Sequence, residues 1–146
     1  MKLTGFTDYS LRVLMYLAID TTRRATIAEI AASFDVSEHH LVKVVHFLGK
    51  RGWVETVRGQ GGGVRLVLPP GQVNVGRVVR DTEGVAVPAE CFSEGGGRCV
   101  IGGCCRLKDV LGEAVRGFYA VLDRYTLADI AGNQRALRSV LMIAPA

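Results

Sequence analysis

Two short amphipathic helix patterns separated by a tight turn constrain the fold of this chain more than any other feature of its sequence. The first, TIAEIAASF, begins with Thr26 and Glu29 at capping-box spacing and ends near Ser33 or Phe34. The second, SEHHLVKVVHFLGKRG, has Ser37 as its expected N-cap and Gly52 as its stop. Two helices around so short a turn predict a helix-turn-helix.

The segment that follows predicts a β hairpin. WVETVRGQGGGVRLVLPP contains two β-favouring runs on either side of a glycine-rich turn, and Pro69 and Pro70 close it. A helix-turn-helix followed by a hairpin is a winged helix. The predicted fold class is therefore mainly α with a small β hairpin, a winged helix-turn-helix to which a long dimerisation helix is added.

Helical periodicity predicts this long helix and several shorter ones. FTDYSLRVLMYLA is expected to be helical with Thr7 as its N-cap, residues 74–83 form a short helix, and Thr126 caps another. From about Arg106 an apolar stripe runs for about five turns and contains Leu107, Leu111, Ala114, Phe118, Val121 or Leu122, and Tyr125. A small N-terminal domain cannot cover so long a stripe, so we expect it to pair with the same helix of a second subunit in a homodimer.

The uneven distribution of charge favours an anionic partner for the N-terminal half. Residues 1–70 carry nine Lys/Arg against six Asp/Glu, whereas residues 71–146 carry nine against eight. If the apolar face of the second helix is buried, its outer face presents a row of donors and cations to the major groove. The alternative is an ordinary solvated helix face, but the neighbouring helix, the wing and the basic excess favour DNA. The expected DNA contacts are Ser37, His39, His40, Lys43, His46 and Lys50 of the helix, and Arg58, Gln60 and Arg65 of the wing.

All four cysteines lie in one glycine-rich segment, ECFSEGGGRCVIGGCCRL at residues 90–107. Seven residues separate Cys91 from Cys99, and four more separate Cys99 from the adjacent pair Cys104 and Cys105. Zinc is the lesser choice because adjacent cysteines cannot easily place both sulfurs on one tetrahedral ion. An iron–sulfur cluster is bulkier, and a glycine-rich loop can wrap around it. The bland alternative is a reduced loop with incidental thiols.

Several quoted segments resemble, in order along the chain, a known family. LTGFTDYSLRVLMYLA, VSEHHLVKVVHFLGKRGWVETVRGQGGGVRL, CRLKDVL and YTLADI are similar to the nitric-oxide-responsive repressors of the Rrf2 family of dimeric winged-helix regulators. The resemblance runs over nearly the whole chain. It implies a homodimer that binds a double-stranded DNA operator, holds one iron–sulfur cluster per subunit, and releases DNA when nitric oxide reacts with the cluster.

The resemblance also implies the cluster ligands. By position, Cys91, Cys99 and Cys105 would be the thiolates, and the partner subunit's Asp8 would be the fourth ligand of a 4Fe-4S cluster. The IscR branch of the family has a histidine three residues after its last cysteine for a 2Fe-2S cluster, but Lys108 occupies that position here. A 4Fe-4S cluster is therefore preferred to 2Fe-2S. Cys104 is an additional thiol, and the first cysteine spacing is longer than in the family. From its position alone, Asp8 would also stabilise a helix N-terminus.

Two other functions stay open. One is a metal-free thiol/disulfide redox-sensing transcription regulator that uses the four cysteines. The other is an electron-transfer protein in which the helix-turn-helix is only scaffold. We expect no enzyme, since the sequence contains no catalytic triad, no paired carboxylates in a plausible cleft and no cofactor fingerprint.

The predicted organisation has two domains. Residues 1–70 would form the winged helix-turn-helix DNA-binding domain, and residues 71–146 the cluster-binding loop and the dimerisation helices. The apolar run from Val13 to Ile19 follows Asp8 and Arg12, so we expect neither a secretory signal nor a membrane span. The expected location is the cytoplasm, where thiols stay reduced.

Overall fold

The computed structural model describes residues 2–84, 89–92, 99–141 and 143. Within these residues it contains seven α-helices and one two-stranded antiparallel sheet, which confirms the predicted fold class. The helices are α1 (Gly5–Ile19), α2 (Ile27–Phe34), α3 (Glu38–Lys50), α4 (Val75–Glu83), α5 (Arg106–Leu122), α6 (Leu127–Ile130) and α7 (Gln134–Val140). The strands are β1 (Val54–Val57) and β2 (Gly63–Leu66). No helix in the described ranges combines the length and the apolar character needed to cross a bilayer.

The start of α1 corrects one prediction. Thr4, not Thr7, is the N-cap, because the Oγ1 of Thr4 accepts a hydrogen bond from the Thr7 amide at 3.2 Å. Thr7 is instead fully buried, and its hydroxyl donates to Thr82 Oγ1 on α4 at 2.9 Å. Both threonines suit a cap locally, and the packing of α4 on this turn decides between them.

The helix-turn-helix and the wing form as predicted. Both hydrogen bonds of the Thr26–Glu29 capping box are present at the start of α2. Gly52 has a φ of 76°, a left-handed conformation that suits glycine and ends the turn after α3. In the hairpin, Val54 of β1 lies opposite Leu66 of β2, and Val57 lies opposite Gly63.

Helix α1 is the centre of the core. It packs against α3, α4, α6, α7 and β2, and its side chains Val13 and Leu14 have no exposed surface. The same core contains Leu48 of α3, Leu127 of α6 and the late residue Leu141. One core therefore includes side chains from both predicted domains, and the functional division at residue 70 stays a prediction.

Helix α5 begins at Arg106 and ends at Leu122, as the long periodic stripe predicted, although Tyr125 lies beyond its end. None of its residues is buried. Of the apolar stripe, Leu107 is 62% exposed and Val121 is 45% exposed. The pairing of this helix with a second subunit stays a prediction.

Candidate functional site

The outer face of α3 is a candidate nucleic-acid interface. Its apolar face is buried through Leu41, Val44, Val45 and Leu48, as predicted. The predicted DNA contacts on this helix are all exposed, namely Ser37, His39, His40, Lys43, His46 and Lys50. The Ser37 side chain makes no hydrogen bond that caps the helix, so its hydroxyl stays available to a partner.

The wing places further cations beside this face. Arg58 and Gln60 are exposed at the glycine-rich turn. Arg65 on β2 is also exposed, but its guanidinium Nε bonds to Glu55 on β1 across the hairpin. Arg58 therefore offers a more fully positive contact for a phosphate than Arg65 does.

Backbone and side-chain hydrogen bonds join the wing to the rest of the fold. Ala25, just before α2, exchanges two backbone hydrogen bonds with Val64 of β2, at 3.0 and 2.8 Å. Trp53, just before β1, is 4% exposed, and its Nε1 donates to Asp81 Oδ2 of α4 at 2.9 Å. The α3 face and the wing thus belong to one packed unit.

Helix α4 connects this surface to α1 and α5, a role that the sequence analysis missed. Its last four residues contact three other parts of the chain. Arg80 bonds to both carboxylate oxygens of Asp123, just after α5, at 2.6 and 2.7 Å. Asp81 accepts from Trp53, Thr82 bonds to Thr7, and Glu83 Oε1 accepts from the Thr4 amide at 2.8 Å.

The charge state of Arg80 and Asp123 suits this connection. Hydrogen bonding to Arg80 lowers the pKa of Asp123, and the same contact raises the pKa of Arg80. The Arg80 guanidinium also lies 4.4 Å from the ring centroid of Tyr119 on α5. Gly76 lets α5 come this close, because a Cβ there would lie 2.1 Å from Asp123 Oδ1.

The cysteines lie before and at the start of α5. All four are free thiols; Cys91 and Cys105 are half-buried, whereas Cys99 and Cys104 are exposed. Cys105 is the N-cap residue of α5, but its side chain makes no capping hydrogen bond. Cys104 Sγ lies 3.6 Å from the Ile101 carbonyl oxygen.

Cys91 lies in the turn Glu90–Phe92, and the neighbouring ring of Phe92 faces α5 at Gly112, where a Cβ would be 3.6 Å from Phe92 Cε1. The segment at residues 93–98 that leads to Cys99 lies outside the described residues. Both half-buried thiols therefore lie near the N-terminal half of α5.

Asp8 lies in the first turn of α1. Its carboxylate is 47% exposed and pairs with Arg12 one turn later at 3.0 Å. Among the residues that the structure describes, no three His, Cys, Asp or Glu side chains are close enough to hold a metal ion. The metal ligands Cys91, Cys99, Cys105 and the partner subunit's Asp8 therefore stay a prediction.

The chemistry of the donors fits an iron–sulfur cluster. Thiolates are the usual ligands of such clusters, and none of the four cysteines is committed to a disulfide. The exposed carboxylate of Asp8 is accessible to a second subunit.

Comparison with known proteins places the chain among transcriptional regulators. Residues 3–133 match the Rrf2 family, described as iron-dependent transcriptional regulators. The chain is 48% identical over 142 residues to the HTH-type transcriptional regulator NsrR of Geobacillus kaustophilus and 46% identical to that of Bacillus subtilis, in each case over 97% of both proteins.

Solved structures of regulators share the fold. The chain matches CymR, the global cysteine regulator of B. subtilis, with a TM-score of 0.70 and 28% identity over 90% of this chain and 97% of CymR. It matches IscR of T. potens with a TM-score of 0.72 and 27% identity, over 91% of this chain and 88% of IscR.

Proposed function

Because the chain belongs to the Rrf2 family of transcriptional regulators, we propose that it is a DNA-binding repressor whose iron–sulfur cluster senses nitric oxide. One observation carries the proposal. The exposed basic face of α3 and the wing are connected through α4 to α5, the helix that follows Cys105. A change at the cysteines would have to pass along α5 to Asp123, and from there through α4 to the base of the wing.

The DNA-binding half of the proposal depends on α3 and the wing. Lys43 and Lys50 would contact phosphates, while His39 and His46 would reach base edges in the major groove. Arg58 at the wing would contact the adjacent backbone. Phosphate contacts release counterions, so we expect the affinity for DNA to fall steeply as the salt concentration rises.

The proposed assembly is a homodimer formed through α5. This helix has 17 residues, so its exposed apolar stripe is about 25 Å long. A second copy of α5 would remove Leu107, Val110 and Val121 from water, all of which are at least 45% exposed. The dimer would also set the distance between two α3 helices, which must match two half-sites about one turn of DNA apart.

In the proposed cluster site, Cys91, Cys99 and Cys105 supply thiolates and the partner subunit's Asp8 supplies a carboxylate. A 4Fe-4S cluster bound there would supply iron with which nitric oxide reacts. Each subunit's Asp8 would then connect its α1 to the cysteine segment of the other subunit. Arg12, which pairs with Asp8 in the structure, would have to release that carboxylate when it binds the cluster.

The contacts of α4 suggest how loss of this connection would reach DNA. Thr82 and Glu83 hold the turn of α1 that precedes Asp8, while Asp81 holds Trp53 at the base of the wing. A shift of α1 or α5 would thus move α4 and change the separation of the two α3 helices. Because the half-site spacing is fixed, a small change in separation lowers specific affinity.

The first test is the visible absorbance of protein purified anaerobically, with iron and sulfide measured per chain. We expect a broad visible band and about four irons and four sulfides. Cys99→Ala and Cys105→Ala should lack the cluster, whereas the matched control Cys104→Ala should retain it. An intact cluster in Cys99→Ala or Cys105→Ala would refute the assignment of ligands.

The second test asks whether the cluster controls DNA binding. DNA selected from a random library by the loaded protein is titrated by fluorescence anisotropy before and after nitric oxide, and we expect at least a tenfold loss of affinity, or about 1.4 kcal/mol. Asp8→Ala should give a cluster that assembles but reacts at a changed rate. Colourless protein whose DNA binding responds only to dithiothreitol would replace this proposal with a metal-free thiol/disulfide regulator.

A further inference from the structure

Val42 is an apolar residue on the otherwise polar outer face of α3. In this helix, all of whose residues the structure describes, it is the only large apolar side chain that is exposed, and 50% of its surface is accessible to solvent. It is the fifth residue of α3 and is not among the predicted DNA contacts. The buried residues of α3 fill the core without it, so packing within the chain does not explain an aliphatic side chain here.

Helical periodicity places Val42 beside the two histidines that are expected to reach base edges. His39 lies three residues before it and His46 four residues after it, so the three side chains share one patch of the helix surface. Lys43 lies on the opposite side of the line that joins the two histidines. The outer face of α3 thus has a cationic side at Lys43 and an apolar side at Val42.

The apolar side of this face does not suit a phosphate. Glu38, one turn before Val42, is also exposed, and its carboxylate would repel the DNA backbone there. Base edges in the major groove include one apolar group, the 5-methyl group of thymine. This side of α3 therefore matches base edges better than it matches phosphates.

Valine suits contact with such a methyl group. Its branched Cβ leaves one strongly preferred rotamer in a helix, so its two methyl groups have fixed directions before DNA binds. The buried residues Leu41 and Val45 hold α3 on the core at this level. Val42 also lies in the N-terminal half of α3, the part of a recognition helix that contacts base edges.

We propose that Val42 is a specificity-determining residue that contacts the 5-methyl group of a thymine in the operator half-site. This inference rests on the proposed DNA-binding function and makes it more specific. The contact is apolar, so it distinguishes thymine from bases that lack the methyl group and adds nothing to phosphate binding. Burial of one methyl-sized group corresponds to about a fourfold difference in affinity.

Deoxyuridine tests this contact because it differs from thymidine only in lacking the 5-methyl group. The loaded protein selects DNA from a random library, each thymine of the selected site is replaced by deoxyuridine in turn, and fluorescence anisotropy gives the affinities. We expect one thymine position in the half-site at which the replacement weakens wild-type binding about fourfold. In Val42→Ala, which lacks both γ-methyl groups, the same replacement should weaken binding less than about twofold. The matched control Val140→Ala, at a valine on α7 that is 75% exposed, should keep the wild-type penalty.

The salt dependence of affinity separates this contact from the phosphate contacts. Val42→Ala should keep the wild-type slope of affinity against salt, since an apolar contact releases no counterion, whereas Lys43→Ala should reduce the slope. A reduced slope in Val42→Ala would contradict an apolar contact with a base.

The outcomes distinguish this inference from the function on which it rests. A protein that selects no DNA sequence would overturn both. A selected site at which deoxyuridine penalties are equal in wild type and Val42→Ala at every thymine would overturn the inference and leave the DNA-binding proposal intact. Position 42 is exposed and alanine is the better helix former, so Val42→Ala should fold as wild type does, which circular dichroism checks.

Discussion

Removal of the Asp81 carboxylate tests how α4 holds the base of the wing. Trp53 is buried, and its indole Nε1 donates to Asp81 Oδ2 at 2.9 Å. In Asp81→Ala the N–H of Trp53 would stay buried without its acceptor. A lost hydrogen bond to a charged group costs about 1.5–3 kcal/mol.

Two smaller effects oppose this loss. Alanine is a better helix former than aspartate by about 0.6 kcal/mol, and position 81 lies in the last turn of α4, where a negative charge is unfavourable. The net expectation for Asp81→Ala is a loss of about 1–2 kcal/mol in the free energy of unfolding. Asp81→Asn keeps an oxygen acceptor, so it should recover more than half of that loss.

Urea unfolding followed by tryptophan fluorescence measures this directly, because Trp53 is the only tryptophan in the chain. All variants are compared at one protein concentration, since a dimer would make stability depend on concentration. The matched control is Glu113→Ala, an exposed helical carboxylate on α5, which should change stability by less than about 0.5 kcal/mol. A wild-type midpoint for Asp81→Ala, or equal losses for Asp81→Ala and Asp81→Asn, would refute the reasoning.

Three further predictions concern the wing, the pH dependence of stability and the cap of α2. In Gly62→Ala the new Cβ would lie 2.3 Å from the Val57 carbonyl oxygen, so the wing turn must deform. DNA affinity measured by an anisotropy titration should fall at least tenfold, or about 1.4 kcal/mol. The control Gly71→Ala, where a Cβ has open space, should bind DNA as wild type does. Burial raises the pKa of Glu83, but hydrogen bonds from the Thr4 amide and hydroxyl outweigh it and leave the pKa below its ordinary value of 4.5. Its ionised form therefore stabilises the fold above pH 4.5, and this contribution is lost as the pH falls through the folded-state pKa. Between pH 5 and pH 3, the urea midpoint of Glu83→Gln should therefore fall less steeply with pH than that of wild type. Parallel curves would contradict this. Thr26→Ala should lower the free energy of unfolding by about 1 kcal/mol because it removes the cap of α2. Thr26→Ser should restore most of this loss in urea unfolding. A stability of Thr26→Ala equal to wild type would show that the capping box contributes nothing.

The predicted binding surface on α3 depended on one local pattern. Once Leu41, Val44 and Leu48 are buried, the helical period of 3.6 residues places Lys43, His46 and Lys50 outside. The structure confirms this exposure, although DNA contact itself stays a prediction. The wing was equally local, since its glycine turn and alternating strands are contiguous in the chain.

The cysteine segment could be predicted only in part. Its position before a long helix followed from periodicity, and the structure places Cys105 at the N-cap of α5. Which thiols approach one another depends on contacts between residues far apart in the chain, and residues 93–98, which lead to Cys99, are outside the described residues. The choice among Cys91, Cys99, Cys104 and Cys105 as ligands therefore came from family resemblance rather than from spacing.

The sequence by itself determined the elements whose signals lie within a few residues, namely the Thr26–Glu29 capping box, the stop at Gly52, the hairpin and the long helix at residues 106–122. Tertiary structure decided which residues far apart in the chain contact one another. Thr4 rather than Thr7 caps α1 because Thr82, 75 residues after Thr7, bonds to the Thr7 hydroxyl. Asp20 faces Arg138 and Trp53 faces Asp81 for the same reason: a buried polar group needs a partner, and only the folded chain determines which distant residue is near enough to supply it.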